Sequence, residues 1–346
     1  MSIGISLAER GLLPDTLTRY GIRRLLRSRL AEEKQLQPRD AFRRSLRDGP
    51  VAPLPEKANE QHYEVPAEFF VGALGRHLKY SSAYWDEDCG SLDEAEAKML
   101  ALTCERADLE DGMEILELGC GWGSLTLWMA EHYPNAKITA VSNSNSQREH
   151  IMSRSPGNVN VITADMNDFD IDHRFDRVVS VEMFEHMRNY DELFRRVSGW
   201  MKDDAKLFVH VFCHKDVAYP FETEGDDNWM GRYFFTGGQM PSFDLFREVQ
   251  DSVQLEEAWE VNGTHYGKTS EAWLENLDGR RNEIMPVLER TYGKKEAHRW
   301  FHRWRLFFLA CAELFNYRDG EEWLVGHYRF VKNGRDAAHP DPAGDG

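Results

Sequence analysis

Apolar residues recur along this chain in two rhythms. Between residues 113 and 211 they come as short dense runs: Met113, Ile115, Leu116 and Leu118, then Lys137–Val141, Val159–Thr163, Arg177–Val181 and Lys206–Val211. Runs of this length, rich in Val and Ile, read as buried strands. Segments of helical periodicity lie between them, beginning with Leu125–Met129 after the first strand. Alternation at this spacing predicts an α/β fold with a mostly parallel sheet covered on both faces. A last alternating segment, Trp323–Val331, reads as a closing strand.

Outside this centre the rhythm changes. Leu17, Tyr20, Ile22, Leu25, Leu26 and Leu30 recur at helical spacing with Arg23, Arg24, Arg27 and Arg29 between them. Residues 1–58 therefore read as a basic helical region and linker. It is either a cap packed on the main domain or a helix that contacts a membrane surface. Residues 59–112 form an N-terminal cap whose helix starts at Ser91, with Glu94 three residues later as a capping box. Residues 113–212 are the ligand-binding core. Residues 213–315 read as a long aromatic-rich insertion followed by two helices, Glu271–Tyr292 and Glu296–Phe315, the first kinked at Pro286. The Pro-, Gly- and Asp-rich tail, 334–346, reads as disordered. Domain 59–333 thus carries the fold.

Composition narrows the class. At 346 residues, 41% hydrophobic and 29% charged, the chain is globular. The formal charge of −17 argues against a nucleic-acid partner and weighs against an anionic membrane surface. No apolar run is long enough to span a bilayer. The five cysteines are scattered, with no C-x-x-C pair, so no metal site is expected and a reduced, cytoplasmic protein is.

The chemistry centres on Met113–Leu125, where a strand turns through Gly119, Gly121 and Gly123 into a helix. Such a turn lets backbone approach a ligand closely. A dinucleotide fingerprint needs an acidic residue at the end of the next strand, whereas this strand runs into Ser142, Asn143 and Ser144. The pattern Glu117-x-Gly119-x-Gly121-x-Gly123 instead resembles the first motif of S-adenosylmethionine-dependent methyltransferases. After the fourth strand, Glu182, Glu185 and His186 stand at spacing i, i+3, i+4, which on a helical turn shares one face. Two carboxylates and an imidazole suit a cationic amine that must lose a proton before it can attack an electrophile. Aromatics in the flanking segments, Tyr80, Tyr84, Trp229, Tyr233, Phe234 and Phe235, could hold such a cation. His210 on the fifth strand reads either as a pocket residue or as a hydrogen-bonded core histidine. His265 and Tyr266 could reach the pocket or simply pack.

Several segments together carry a wider likeness: HYEVPAEFF, LKYSSAYW, ELGCGWGSL, SNSNSQ, SVEMFEHMRNY, LFVHVFCHK, RYFFTGGQMPS, HYGKTSEAW and FFLACAELF. In this order they resemble the cyclopropane-fatty-acid-synthase superfamily, and within it the coclaurine N-methyltransferase-like branch, over roughly residues 60–333. The resemblance implies a class I methyltransferase fold, S-adenosylmethionine as donor and S-adenosylhomocysteine as product. It implies that Tyr80, Ser81, Glu117, Gly119 and Gly121 approach the methionine end. Ser142, Asn143 and Gln147 would serve the ribose, and Asp165 and Met166 would flank the adenine. Cyclopropane synthases of the superfamily hold a bicarbonate with a Cys, a Glu, a His and a Tyr. Here Ser82 takes the Cys position and Phe307 the Tyr position, while Glu185 and His210 remain. These departures favour N-methylation of a small amine, an aromatic ethylamine or isoquinoline-like molecule, with Phe307 in the acceptor pocket. The competing reading is a lipid methyltransferase acting on unsaturated acyl chains. The sequence leaves open whether the protein is a homodimer.

Overall fold

The middle of the chain folds into a sheet because its apolar runs are too short for helices and too continuous for a one-sided strand. The computed structural model describes residues 3–35, 42, 44–47, 49–54, 65–225, 228–248 and 251–333. The tail 334–346 and parts of the linker lie outside them. In chain order the elements are α1 (Ile3–Ala8), α2 (Asp15–Gln35), α3 (Ala67–Ala73), α4 (Leu92–Arg106), β1 (Glu114–Leu118), α5 (Ser124–His132), β2 (Lys137–Ser142), α6 (Asn145–Met152), β3 (Val159–Thr163) and β4 (Phe175–Val181). There follow α7 (Tyr190–Trp200), β5 (Met201–His214), β6 (Tyr219–Pro220), α8 (Trp229–Tyr233), β7 (Gln239–Met240), β8 (Val253–Val261), α9 (Thr264–Gly279), α10 (Arg281–Tyr292), α11 (Lys294–Phe315) and β9 (Trp323–Lys332).

Seven strands form one sheet in the order β3-β2-β1-β4-β5-β9-β8, and β6 and β7 pair separately. The first five strands are parallel, while β9 runs antiparallel to β5 and to β8. Strand order reverses on either side of β1, where β2 and β4 are its neighbours. The carboxyl ends of β1 and β4 at such a reversal open the crevice that binds ligands in sheets of this kind. Ser91 caps α4 by accepting the Glu94 N–H, as the capping box requires.

Two features depart from the sequence expectation. β8 lies within the stretch read as irregular, and the closing strand β9 is interior, with β8 outside it. A bulge between Leu255 and Glu257 breaks the alternation of VQLEEAWEV, so period two is hidden in the sequence. Consecutive charges on an edge strand also block pairing with another chain. The expected helix Glu271–Tyr292 is two helices that meet at Arg280 (φ −103°, ψ 23°), and α9 starts earlier, at Thr264. The break falls beside Gly279, a poor helix former, and Pro286 sits inside α10.

The helical layer of α9, α10 and α11 shares an aromatic core with α3 that includes Phe69, Phe70, Trp273, Trp304 and Phe308, together with Trp122 of the glycine turn. It therefore packs on the mouth of the sheet. The N-terminal helices are tied to this layer by charge: Arg19 pairs with Glu271 and Glu313, and Arg305 with Asp15 and Asp278. Among the described residues no helix is long and apolar enough to cross a membrane.

Candidate active site

The turn after β1 needs its glycines. Gly119, Gly121 and Gly123 have φ of +78°, +52° and +83°. A Cβ on Gly119 would meet Met183 at 2.9 Å, and one on Gly123 would meet Ile151 at 2.5 Å. Gly121 differs: among the described residues nothing lies within 4 Å of its Cβ position. That open side faces two adjoining cavities of about 740 and 880 Å³ including their mouths. Both are lined by Gly119, Gly121, Gln147, Glu182 and His186. Together they have the size of a nucleotide-plus-substrate site.

The first cavity is polar along its sheet side. Ser142 donates to Gln147 Oε1 at 2.6 Å, and Asn143, Asp165 and Met166 complete that wall. Asp165 also accepts the Asn167 N–H at 2.7 Å, which shapes the turn after β3. Ala52 and Leu54 of the linker and Thr236 and Gly237 of the insertion cover the opening. Asn167 holds the linker by bonding both backbone groups of Ala52.

The second cavity is a mixture of aromatic walls and buried ionisable groups. Tyr80, Trp122, Tyr266, Phe235 and Phe307 line it, with Lys79, Ser81, Glu117, Glu182, Glu185 and His186. Glu117 accepts from the Thr126 hydroxyl, and burial lifts its carboxyl to about 8. No cation pairs with it among the described residues. Glu185 is 1% exposed, its Oε2 has no hydrogen-bond partner among the described residues, and burial next to Glu182 holds it well above the usual carboxylate range. Burial also raises Glu182, against the pull of Lys79 and of the Tyr266 hydroxyl, which donates to Oε2 at 3.2 Å. Lys79, bonded to Ser81, is itself pulled below the ordinary lysine value by burial. Three carboxyl groups against one lysine leave a site that favours a cationic ligand.

Glu182, Glu185 and His186 do line one cavity, but not from one helical turn. Glu182 is left-handed (φ +52°), and only Phe184–His186 form a short 3₁₀ turn. The Glu182 N–H bonds to the His210 carbonyl at 2.8 Å, which holds this conformation. His186 stacks on Phe235. Of the aromatics expected to hold the acceptor, Tyr80, Phe235 and Phe307 stand on the wall. The others lie off it. Tyr84 stacks on His265, and Phe234 is fully buried against Phe307. Trp229 donates to the buried Glu9 of the N-terminal segment, and Tyr233 accepts from Arg303. His210 is fully buried behind Glu182. Aromatic density in the insertion thus marks the packing of the N-terminal helices as much as the pocket. Sequence reasoning passed over Lys79, Trp122, Ala52 and Leu54; only the adjacency of Lys79 to Tyr80 and Ser81 hinted at a role.

Comparison with known proteins agrees with this geometry. Residues 54–323 match the family described as mycolic acid cyclopropane synthetase. The (S)-coclaurine N-methyltransferase of Thalictrum flavum subsp. glaucum is 40% identical over 338 residues, 94% of each chain. That of Papaver somniferum is 36% identical over 337 residues, 94% of this chain and 96% of the relative. A crystal structure of coclaurine N-methyltransferase bound to N-methylheliamine and S-adenosylhomocysteine superimposes with a TM-score of 0.90 at 39% identity, covering 94% of this chain and 98% of that one. An open Gly121, polar groups at the end of β2 and a buried carboxyl that lacks a cation suit S-adenosylmethionine. With these likenesses they show that the chain belongs to the mycolic acid cyclopropane synthetase family and is an S-adenosylmethionine-dependent methyltransferase.

Proposed function

We propose that the protein methylates the nitrogen of a small amine that carries an aromatic ring, of the isoquinoline or aromatic-ethylamine class. One observation carries this reading: two buried carboxyl groups, Glu182 and Glu185, each with an oxygen that has no hydrogen-bond partner among the described residues, face an aromatic-walled cavity. An alkylammonium supplies the missing donors, and Phe235 and Phe307 offer faces for its ring. The relatives that bear the name N-methyltransferase and match along 94% of the chain support the same choice.

The donor supplies an electrophilic methyl on a sulfonium. Glu117, Tyr80 and Ser81 would hold its amino-acid end, Ser142, Asn143 and Gln147 its ribose, and Asp165 and Met166 its adenine. Glu182, Glu185 and His186 would take the proton from the ammonium and keep the nitrogen lone pair aimed at the methyl group. Burial raises the proton affinity of both carboxyls, and a bound ammonium favours their ionised form, so each becomes a proton acceptor once the cation is in place.

The acyl-chain alternative lacks support from the cavity. Ser82 is buried and donates to the Ala83 carbonyl at 3.0 Å, and Phe307 has no hydroxyl, so two donors for a bicarbonate are missing. The test is donor consumption over a panel of tetrahydroisoquinolines, aromatic ethylamines and unsaturated phospholipid vesicles. Turnover with the amines is expected; turnover with the vesicles alone would replace this reading.

A further inference from the structure

Three neighbouring strands bring a row of side chains together behind the site. The register sets His210 of β5 opposite His327 of β9, and His327 opposite Trp259 of β8. Both histidines are fully buried. His327 Nε2 lies 2.8 Å from His210 Nδ1. Arg106, the last residue of α4, rests over the Trp259 ring at 4.9 Å and stands 2.7 Å from His327 Nδ1. At the other end, His210 Nε2 is 3.3 Å from Glu182 Oε1, an ion-pair distance without hydrogen-bond geometry, and neither atom has a hydrogen-bond partner among the described residues.

The first member of this row fixes the direction of the rest. A guanidinium has donors and no acceptor. His327 Nδ1 must therefore accept, so the neutral ring carries its proton on Nε2 and donates to His210 Nδ1. His210 then carries its own proton on Nε2, facing Glu182. Burial, helped by the charges of Arg106 and Lys79, holds both rings well below the usual histidine range, so they are neutral.

We propose that Arg106 and His327 are positioning residues that act through His210: they set the tautomers of the row so that His210 presents an N–H, and not a lone pair, on the side that faces Glu182, whose carboxylate is thereby held ready for the amine. This rests on the reading that Glu182 faces the acceptor nitrogen. Glu182 is also faced by Lys79, by the Tyr266 hydroxyl and by Glu185. None of these depends on Arg106, and His210 Nε2 faces Oε1 at 3.3 Å. With a lone pair in place of that N–H, Glu182 holds its proton more tightly. The acid limb of kcat/KM then moves to higher pH.

The experiment uses the full chain with Arg106→Met, His327→Leu and His327→Gln. Glutamine can accept from Arg106 through its carbonyl and donate to His210 through its amide, which preserves the polarity that leucine removes. Arg106→Met and His327→Leu are expected to move the acid limb up by about one pH unit, roughly tenfold in kcat/KM on the acid side. The KM for the donor should not change, activity should recover at high pH, and His327→Gln should restore the limb. Histidine ¹⁵N spectra of the wild type should show both rings neutral with the proton on Nε2 from pH 6 to 8. In Arg106→Met the ring tautomers should become mixed. A limb that stays put in folded Arg106→Met and His327→Leu, or a wild-type proton on Nδ1 of either ring, overturns the proposal. The spectra need no turnover, so they decide even where a variant fails to fold. They also separate the two readings: correct tautomers without amine turnover would sink the amine assignment and leave the row intact.

Discussion

Glu117 gives the sharpest quantitative prediction. It is 3% exposed, it has one hydroxyl partner, and its carboxyl is pushed from 4.5 to about 8 by burial alone. Between those values the folded protein keeps a proton that the unfolded chain releases. The folded state binds more protons, so stability must fall as pH rises through this window and level off above it. From pH 5 to 7.5 the loss is 2.5 units at 1.36 kcal/mol each, about 3 kcal/mol for this one group. Glu117→Gln removes that slope. Urea unfolding of wild type and variant at several pH values measures it. Any pH-independent effect of the amide cancels in the comparison, and the slopes from Glu182 and Glu185 are common to both proteins. The variant should gain about 3 kcal/mol on wild type across the window. Calorimetry adds a second arm. The ammonium of S-adenosylhomocysteine should ionise Glu117, so binding at pH 7 releases close to one proton more in wild type than in the variant. Stability curves parallel to within about 0.5 kcal/mol, together with equal proton release, would refute the reasoning.

Gly121→Val should fold, because its Cβ meets nothing, at a strain of roughly 1–2 kcal/mol from its positive φ. It should lose S-adenosylhomocysteine binding by more than about a hundredfold, which calorimetry checks, since each tenfold is only about 1.4 kcal/mol of blocked contact. Glu185→Gln and His186→Ala should cost about 10²–10⁴ in kcat/KM for at least one of the two, with donor affinity unchanged in equilibrium binding. Activity should not respond to rigorous removal of carbonate from the buffer, because Ser82 is turned to its own backbone and Phe307 offers no hydroxyl; a large rate loss would contradict this.

The strands β1 to β5 were legible because both faces of a parallel sheet are buried, which leaves dense apolar runs in the text. The glycine turn was legible because its conformation admits few other residues. β8 was not, since the bulge at Leu255–Glu257 puts two charges in succession where alternation was sought. Glu182, Glu185 and His186 were found by spacing, yet their shared cavity comes from a left-handed Glu182 and a short 3₁₀ turn. Spacing could not show Lys79 folding in beside Glu182, nor Tyr266 donating to it from α9, because both depend on tertiary contacts. Trp229 and Tyr233 look like pocket aromatics until Glu9 and Arg303 are seen to hold them from the other side.

The central claim is methyl transfer to nitrogen, and the fate of a labelled methyl group tests it most directly. With ¹³C-methyl S-adenosylmethionine and a tetrahydroisoquinoline bearing an N–H, the account predicts one new N-methyl resonance in the product, lost in the Glu185→Gln, His186→Ala double variant. Label that enters a ring or chain carbon, or that reaches only the acyl chains of added phospholipid, would contradict it.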